Sequence, residues 1–237
     1  AISALVTDSS DGTILADQRC SGVRCAPLPY LDQVSITDAG LYGIHIDHLA
    51  SLHTDGLAVT TSSSSALNLN NTDVVHISNS SINGTGGHGL ATTNIDEINL
   101  NASNITGANS YALYSINSTL ISNGNSFGGS QYGVYAKSAS DWTSTGDTIS
   151  STTSLDGIYI DASTFTSTGL TVQSSNRDGI SALNSTVSLD SLTLLSSNRH
   201  GLYTSGGTIT LINSSISSAL QNAVYINNTE QPLLVDN

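Results

Sequence analysis

Residues 157–204 read GIYIDASTFTSTGLTVQSSNRDGISALNSTVSLDSLTLLSSNRHGLYT, and the dipeptide Gly-aliphatic recurs in them at positions 157, 179 and 201. After each glycine, apolar residues alternate with polar ones, as at Ile158 and Ile160, which is the two-residue period of a β-strand. Further short apolar runs follow in each unit, for example Val187 with Leu189. Each unit of 22 residues therefore predicts three short strands separated by turns.

The same repeat extends over most of the chain. Its nine anchor positions, 21 to 24 residues apart, are Gly43, Ala66, Gly89, Ala112, Gly133, Gly157, Gly179, Gly201 and Ala223. A fixed period of this size is typical of stacked units that bury their apolar faces only against their neighbours. We therefore predict an all-β parallel β-helix, a solenoid of about nine coils, over residues 41–237. We expect Gly or Ala at each anchor because a larger side chain would clash with the coil beneath.

The turns and the chain ends carry further predictions. The tetrapeptide SSNR at 174–177 returns at 196–199, so we expect Asn176 to stack on Asn198 through their amides. Residues 1–40 fit the period poorly and are predicted to form an N-terminal cap and an incomplete first coil, in which Val34 and Ile36 fall where a third strand would lie. The last residues stop part-way through a coil, so we expect the natural protein to continue beyond Asn237.

Composition excludes several classes of protein. The formal charge of −13 and only five basic residues leave no electrostatic surface for nucleic acid, and no apolar run approaches a membrane span. Any membrane contact is expected only through a region outside this chain. Cys20 and Cys25 predict a local disulfide and an extracytoplasmic, secreted or cell-surface location, with two free thiols as the alternative.

Tyrosines dominate the outward positions of the first strand. Two more tyrosines, Tyr111 and Tyr132, directly precede an anchor. The candidate binding residues on this edge of the sheet are therefore Tyr111, Tyr114, Tyr132, Tyr135, Tyr159, Tyr203 and Tyr225. Exposed tyrosines suit sugar rings or a protein partner, because each has an apolar ring and a hydrogen-bonding tip. The alternative is that tyrosines one coil apart stack on each other and stabilise the sheet.

Two other outward sets have weaker interpretations. A ladder of Thr148, Thr171 and Thr193 on the third strand could order water or ice, or could reflect ordinary β-propensity. A second set could bind a transition metal, but its members fall on two different strands, and surface histidines are the alternative. This set comprises His45, Asp47, His48, His53, Asp55 and His76. No cofactor or metal centre is predicted.

The repeat, written as Gly-Ile-Tyr-Ile at 157–160 and Gly-Leu-Tyr-Thr at 201–204, resembles the right-handed parallel β-helices of the pectin-lyase-like superfamily. Within it, the Ser/Thr/Asn/Gly-rich composition is similar to that of autotransporter passenger domains and related bacterial surface adhesins. The resemblance covers about residues 41–237. It implies a right-handed helix and leaves function open, since that superfamily includes lyases, hydrolases, phage tailspikes and non-catalytic adhesins.

One set of residues predicts catalysis. Asp156, Asp178 and His200 precede the anchors of successive coils, and paired carboxylates are what glycoside hydrolysis requires. Their order resembles the Asp and His-Gly motifs of polygalacturonases, although the double aspartate and the Arg-x-Lys of that family are missing. Because catalytic residue types are scarce, the favoured hypothesis is a non-catalytic adhesin or surface stalk that binds a host or neighbouring-cell glycan or protein. A polysaccharide-degrading enzyme using these three residues is the alternative.

Overall fold

The computed structural model describes Val6–Asp8, Thr13–Asp17, residues 30–150 and 152–227, and Leu234–Asp236. These residues form a right-handed parallel β-helix in which every regular element is a strand. In this part of the chain there is no helix with the length and apolarity needed to span a membrane. Cys20 and Cys25 lie outside the described residues, so their disulfide stays a prediction.

The strands follow one another coil by coil. The first fourteen are β1 (Val6–Asp8), β2 (Thr13–Asp17), β3 (Tyr30–Asp32), β4 (Ser35–Ala39), β5 (Ile44–Asp47), β6 (Ser51–Asp55), β7 (Ala58–Ser62), β8 (Leu67–Ser78), β9 (Ser81–Thr85), β10 (Leu90–Asn101), β11 (Asn104–Thr106), β12 (Tyr111–Ile116), β13 (Thr119–Asn123) and β14 (Ser126–Gly128). The others are β15 (Tyr132–Lys137), β16 (Asp141–Thr145), β17 (Thr148–Ser150), β18 (Ile158–Asp161), β19 (Thr164–Thr168), β20 (Thr171–Ser175), β21 (Ile180–Asp190), β22 (Thr193–Ser197), β23 (Leu202–Ile212), β24 (Ser215–Ala219), β25 (Val224–Asn227) and β26 (Leu234–Asp236).

These strands stack into three parallel sheets that run the length of the helix. The first sheet contains β2, β5, β12, β15, β18, β25 and the first halves of β8, β10, β21 and β23. The second contains β3, β6, β13, β16, β19, β26 and the second halves of those four long strands. The third contains β4, β7, β9, β11, β14, β17, β20, β22 and β24. The antiparallel strand β1 pairs with β2.

The predicted three strands per coil are found, with one difference. In four coils the first two strands run on without a break, and the chain bends within the strand at a residue with positive φ, such as Asn94 (55°) or Asn184 (48°). Asparagine tolerates this backbone region better than other non-glycine residues, which allows the bend without interrupting the ladder. Near the N-terminus, β4 places Ile36 in register with Val59 of β7, in the third sheet.

The core is the apolar column inside the three sheets. Inward residues such as Ile158, Ile160 and Val172 are fully or almost fully buried, and each stacks in register on its equivalent in adjacent coils. Burying one such side chain contributes about 1.5–3 kcal/mol, so stability accumulates with every added coil. The alternation of inward apolar and outward polar residues thus produces the fold directly.

Small anchor residues are required by close approach of the backbone. A Cβ atom at Gly157 would lie 2.6 Å from the carbonyl oxygen of Gly179 and 2.6 Å from Cγ1 of Val172. The prediction of a clash is confirmed, but its partners are the following coil and the third sheet of the same coil, and not the coil beneath.

Polar ladders hold the turns. The predicted stack at the third turn is confirmed, because the Asn198 Nδ2 donates to the Asn176 Oδ1 at 3.1 Å. The positive φ at this turn belongs to Ser174 (56°) and Ser196 (59°) and not to the asparagines. At the first turn, the Asn94 Nδ2 donates to the Asn71 oxygen at 3.0 Å, and the Asn117 Nδ2 donates to the Asn94 oxygen at 2.9 Å.

Candidate functional site

Tyr42 and His45 form a separate stacked pair at 5.2 Å on the outer face of the first sheet. In the part of the chain that the structure describes, the other aromatic side chains of this face form two stacks. The larger, which we call the tyrosine face, consists of His88, Tyr111, Tyr114, Tyr132, Tyr135 and Tyr159. The smaller consists of His200, Tyr203 and Tyr225. Ser181 takes the intervening position between Tyr159 and Tyr203, with which it is in register, and is only 3% exposed.

The rings of the tyrosine face lie on one another. Tyr135 and Tyr159 are 4.8 Å apart at 10° between their planes, and Tyr114 and Tyr135 are 5.5 Å apart at 23°. His88 closes one end, with its ring 4.8 Å from both Tyr111 and Tyr114. The alternative of stacked tyrosines is therefore what the structure contains. Because the flat surfaces cover each other, a ligand would meet ring edges and phenol hydroxyls.

Tyr132 differs from the other candidates. It is 9% exposed and packs edge-on against Tyr135 and Tyr159, at 5.5 and 5.9 Å between ring centroids. It therefore supports the face from its inner side, while the half-buried rings of its neighbours reach solvent. Tyr225, by contrast, is 41% exposed. The ninth tyrosine, Tyr30, lies on the second sheet and stacks on His53.

All three basic residues that the structure describes border these stacks. The Lys137 Nζ lies 5.7 Å from the ring centroid of Tyr135 and 6.0 Å from that of Tyr114. The Arg199 guanidinium lies 5.4 Å from the ring of Tyr203. Arg177 lies near Tyr132, where its charge opposes the burial that raises the pKa of that phenol. A chain with a formal charge of −13 thus gathers these cations along one face, where cation–π contacts orient Lys137 and Arg199 and an ion pair with Asp156 orients Arg177.

Burial raises the pKa of several phenols of the tyrosine face further above neutral pH. Desolvation, assisted by the neighbouring tyrosines, raises the pKa of Tyr135 to about 12, and desolvation also raises the pKa of Tyr111 and Tyr159. Burial lowers the pKa of His88, so this ring is neutral where an ordinary histidine begins to charge. The face therefore offers hydroxyl donors at neutral pH, set in ring edges of partial positive charge.

Asp156, Asp178 and His200 do lie on successive coils, and both aspartates turn inward, whereas the His200 ring stacks on Tyr225 at the outer face. Both carboxylate side chains are 0% exposed, and each forms an ion pair with the guanidinium of the following coil, which donates two N–H groups to it. The Nε of Arg177 is 2.6 Å from Asp156, and the Nε of Arg199 is 2.7 Å from Asp178.

Backbone groups complete this arrangement. The Asp178 amide donates to Asp156, and the His200 amide donates to Asp178, each at 3.0 Å. The same oxygens thus bind an Arg and a backbone N–H, so neither carboxylate faces a groove where a sugar could bind. The expectation that this pair acts as acid and base on a polysaccharide does not fit the geometry, because both groups are committed to joining coils.

The second set of candidate ligands is dispersed. His45 contacts Asn68 through Nδ1 at 3.1 Å, while His48 pairs with the neighbouring Asp47 at 2.8 Å. His53 and His76 lie on the second sheet, as the sequence predicts, and are therefore on a different strand from His45. Within the part of the chain that the structure describes, no three His, Cys, Asp or Glu side chains are grouped to hold a metal ion.

Two members of the site were missed in the sequence. His88 occupies the position before an anchor, like Tyr111, and Lys137 lies two residues after Tyr135 on the same side of β15. The 22-residue repeat could have identified His88, because it places His88 and Tyr111 at equivalent positions of adjacent coils. The two-residue period of a strand could have identified Lys137, because residues at i and i+2 share a face.

Comparison with known proteins supports the fold. No protein-family model matches the chain, and no curated protein matches it. A solved structure of the periplasmic alginate epimerase AlgG superposes with a TM-score of 0.62 at 14% identity, over 86% of this chain and 60% of that chain. A point mutant of that enzyme superposes with a TM-score of 0.56 at 13% identity, over 85% of this chain and 61% of that chain. The chain thus spans about 60% of the epimerase and shares with it the right-handed parallel β-helix fold.

Proposed function

We propose that this chain is a non-catalytic extracytoplasmic β-helix, an adhesin or surface stalk, that binds a glycan along its tyrosine face. The observation that carries the proposal is the concentration on one face of stacked, protonated tyrosines, with the Lys137 ammonium 5.7 Å from the ring centroid of Tyr135. Elsewhere the surface is dominated by small polar side chains, which offer little contact area to a partner.

The chemistry of the face suits a chain of sugar rings. Half-buried phenols are held in place by their neighbours, so they lose little conformational freedom when a ligand binds. Their hydroxyls donate to sugar oxygens, and the Lys137 ammonium adds a charged donor beside Tyr135. Coils repeat at about 4.8 Å, so the donors form a row along the helix axis that an extended polymer could follow.

A non-catalytic role is supported by the condition of the acidic residues. Asp156 and Asp178 are buried and paired with guanidinium groups, so neither is free to protonate or attack a glycosidic bond. The periplasmic setting of the epimerase supports an extracytoplasmic location. The partner would be a host or neighbouring-cell glycan.

Glycan-array binding followed by calorimetry tests the proposal. Tyr135→Phe and Tyr159→Phe keep the ring stack and remove one hydroxyl each, so we expect weaker binding, by about 1 kcal/mol per lost hydrogen bond, with unchanged thermal stability. Lys137→Gln should weaken binding further and reduce its dependence on salt.

The matched control is Tyr30→Phe, which removes an exposed phenol hydroxyl from the second sheet. It should leave binding unchanged. Equal affinity of the wild type and both tyrosine-face variants would refute glycan binding at this face, and glycan cleavage by the wild type would refute a non-catalytic role.

A further inference from the structure

The outer face of the second sheet carries a regular array of threonines. In five successive coils, the strand of the second sheet presents three outward positions. These strands are β13, β16, β19 and the second halves of β21 and β23. Nine of these fifteen positions, which we call the threonine grid, are Thr119, Thr143, Thr145, Thr164, Thr166, Thr168, Thr186, Thr208 and Thr210. In β19 all three outward residues are threonine.

The grid is in register in both directions. Thr143 pairs with Thr166, and Thr145 pairs with Thr168, so threonines of adjacent coils lie side by side. Parallel strands are about 4.8 Å apart, and alternate residues of one strand are roughly 6.7 Å apart. The hydroxyl and methyl groups therefore form a two-dimensional lattice with two perpendicular repeats. Both are close to oxygen repeats on a face of hexagonal ice.

The support beneath the grid is closely packed and hydrogen-bonded. Trp142 and Phe165, among the largest fully buried side chains, stack at 4.3 Å directly under β16 and β19. A buried carboxylate, Asp147, accepts hydrogen bonds from Ser144 at 2.7 Å and from Ser122, which in turn accepts the Trp142 Nε1 donor at 2.7 Å. This network ties β13 and β16 to the turn before β17. An array that keeps its spacing needs such a base.

The other outward positions set the limits of the grid. They are Ile121, Asn123, Asp141, Ser188, Asp190 and Ile212. The fifteen positions thus hold two carboxylates and neither a basic nor an aromatic residue. Asp141 lies in register between Thr119 and Thr164, and Asp190 lies in register with Thr168. The third sheet lacks this density, since β17, β20 and β22 each present one outward threonine, as at Thr171.

We propose that the threonine grid binds ice, a function separate from glycan binding at the tyrosine face. Each threonine places a hydroxyl, which anchors a water molecule, beside a methyl group, which water must surround in an ordered shell. One such contact is weak, but a flat, rigid set of nine can hold a layer of water in a lattice that merges with a crystal. A soluble glycan is the weaker candidate here because the grid lacks the aromatic and charged groups that hold single sugar chains.

Thermal hysteresis and ice-crystal shaping in a nanolitre osmometer test this proposal on the purified chain. The wild type should shape ice crystals and lower their growth temperature. Thr166→Tyr places a bulky ring at the centre of the grid and should abolish both effects, while Asp141→Thr extends the grid and should increase the hysteresis.

Thr171→Tyr is the matched control, because it adds the same ring to the third sheet. It should retain full activity, and circular dichroism should confirm that all variants fold. Absence of ice shaping by the wild type would overturn the proposal, as would equal loss in the two tyrosine variants. Adsorption of fluorescently labelled wild type to microcrystalline cellulose but not to ice would assign the grid to a crystalline polysaccharide and also overturn it. None of these outcomes affects the tyrosine-face experiment.

Discussion

The pair formed by Asp156 and Arg177 offers the sharpest test of whether the buried acids join coils or serve chemistry. Asp156 is fully buried, whereas the Arg177 side chain is 34% exposed, so the two single variants should differ. Arg177→Met leaves a buried carboxylate without its cation and should cost about 3–5 kcal/mol. Asp156→Asn leaves a guanidinium that water can partly solvate, and its acceptor oxygen survives, so we expect about 1–2 kcal/mol.

The double variant gives the interaction energy. Replacing both partners removes the charge and its counter-charge together, so the double variant should be more stable than the two single losses predict, by roughly 2 kcal/mol. Urea unfolding measures each free energy. Amide hydrogen exchange at Asp178 gives a local measurement, because its N–H donates to the Asp156 Oδ1 at 3.0 Å. Exchange should accelerate most in Arg177→Met, which frees that carboxylate to move.

A coupling energy under about 0.5 kcal/mol, together with unchanged exchange at Asp178, would refute the structural role. Greater stability of Asp156→Asn than of the wild type would also refute it. That result is typical of a carboxylate kept in an unfavourable site for catalysis.

Three further predictions concern packing and pH. Gly179→Ala should destabilise the helix by about 1–3 kcal/mol in thermal unfolding, because its Cβ would lie 2.6 Å from the Gly201 carbonyl oxygen; unchanged stability would contradict the close approach. His88 has a lowered pKa in the folded state, so its contribution to the free energy of unfolding should be complete above pH 6.5 and should decrease as the pH falls below that value. His88→Gln should flatten this dependence in unfolding curves recorded across that pH range. Tyr135 has a raised pKa of about 12 in the folded state, so stability should be full below pH 10 and fall as the pH rises from 10 to 12; after allowance for partial solvent screening we expect about 1 kcal/mol, absent in Tyr135→Phe and checked by tyrosinate absorbance.

The architecture could be predicted because each of its causes is local and repeated. The alternation around Ile158 and the small anchor at Gly157 are periodic in the sequence, so three strands per coil and the tight turn follow from them. The continuous strand through Asn184 was not predicted. An asparagine can adopt positive φ but does not have to, so its presence in the sequence does not show whether the strand continues through the bend or ends there.

The candidate site was less accessible to prediction. Periodicity placed Tyr135 and Tyr159 on one outer edge correctly, but it contains no information on ring orientation, and the rings cover each other. Asp156 and Arg177 are 21 residues apart, and their pairing requires the Arg to reach back to the previous coil. A sequence pattern gives the coil in which each residue lies, but side-chain direction at a turn is decided by packing.

Three of the side-chain links at the turns run in the same direction along the helix. Arg177 donates back to Asp156, Arg199 donates back to Asp178, and Asn198 donates back to Asn176, so in each case the later coil supplies the donor. At the turn before β14 the direction is reversed, because the Asn125 Nδ2 of the earlier coil donates to the Asp147 Oδ1 of the later coil at 2.9 Å. Donors thus come from both sides of the coil boundaries, so each coil is linked to the coil before it and to the coil after it, and removal of one coil would leave polar groups unpaired on both sides.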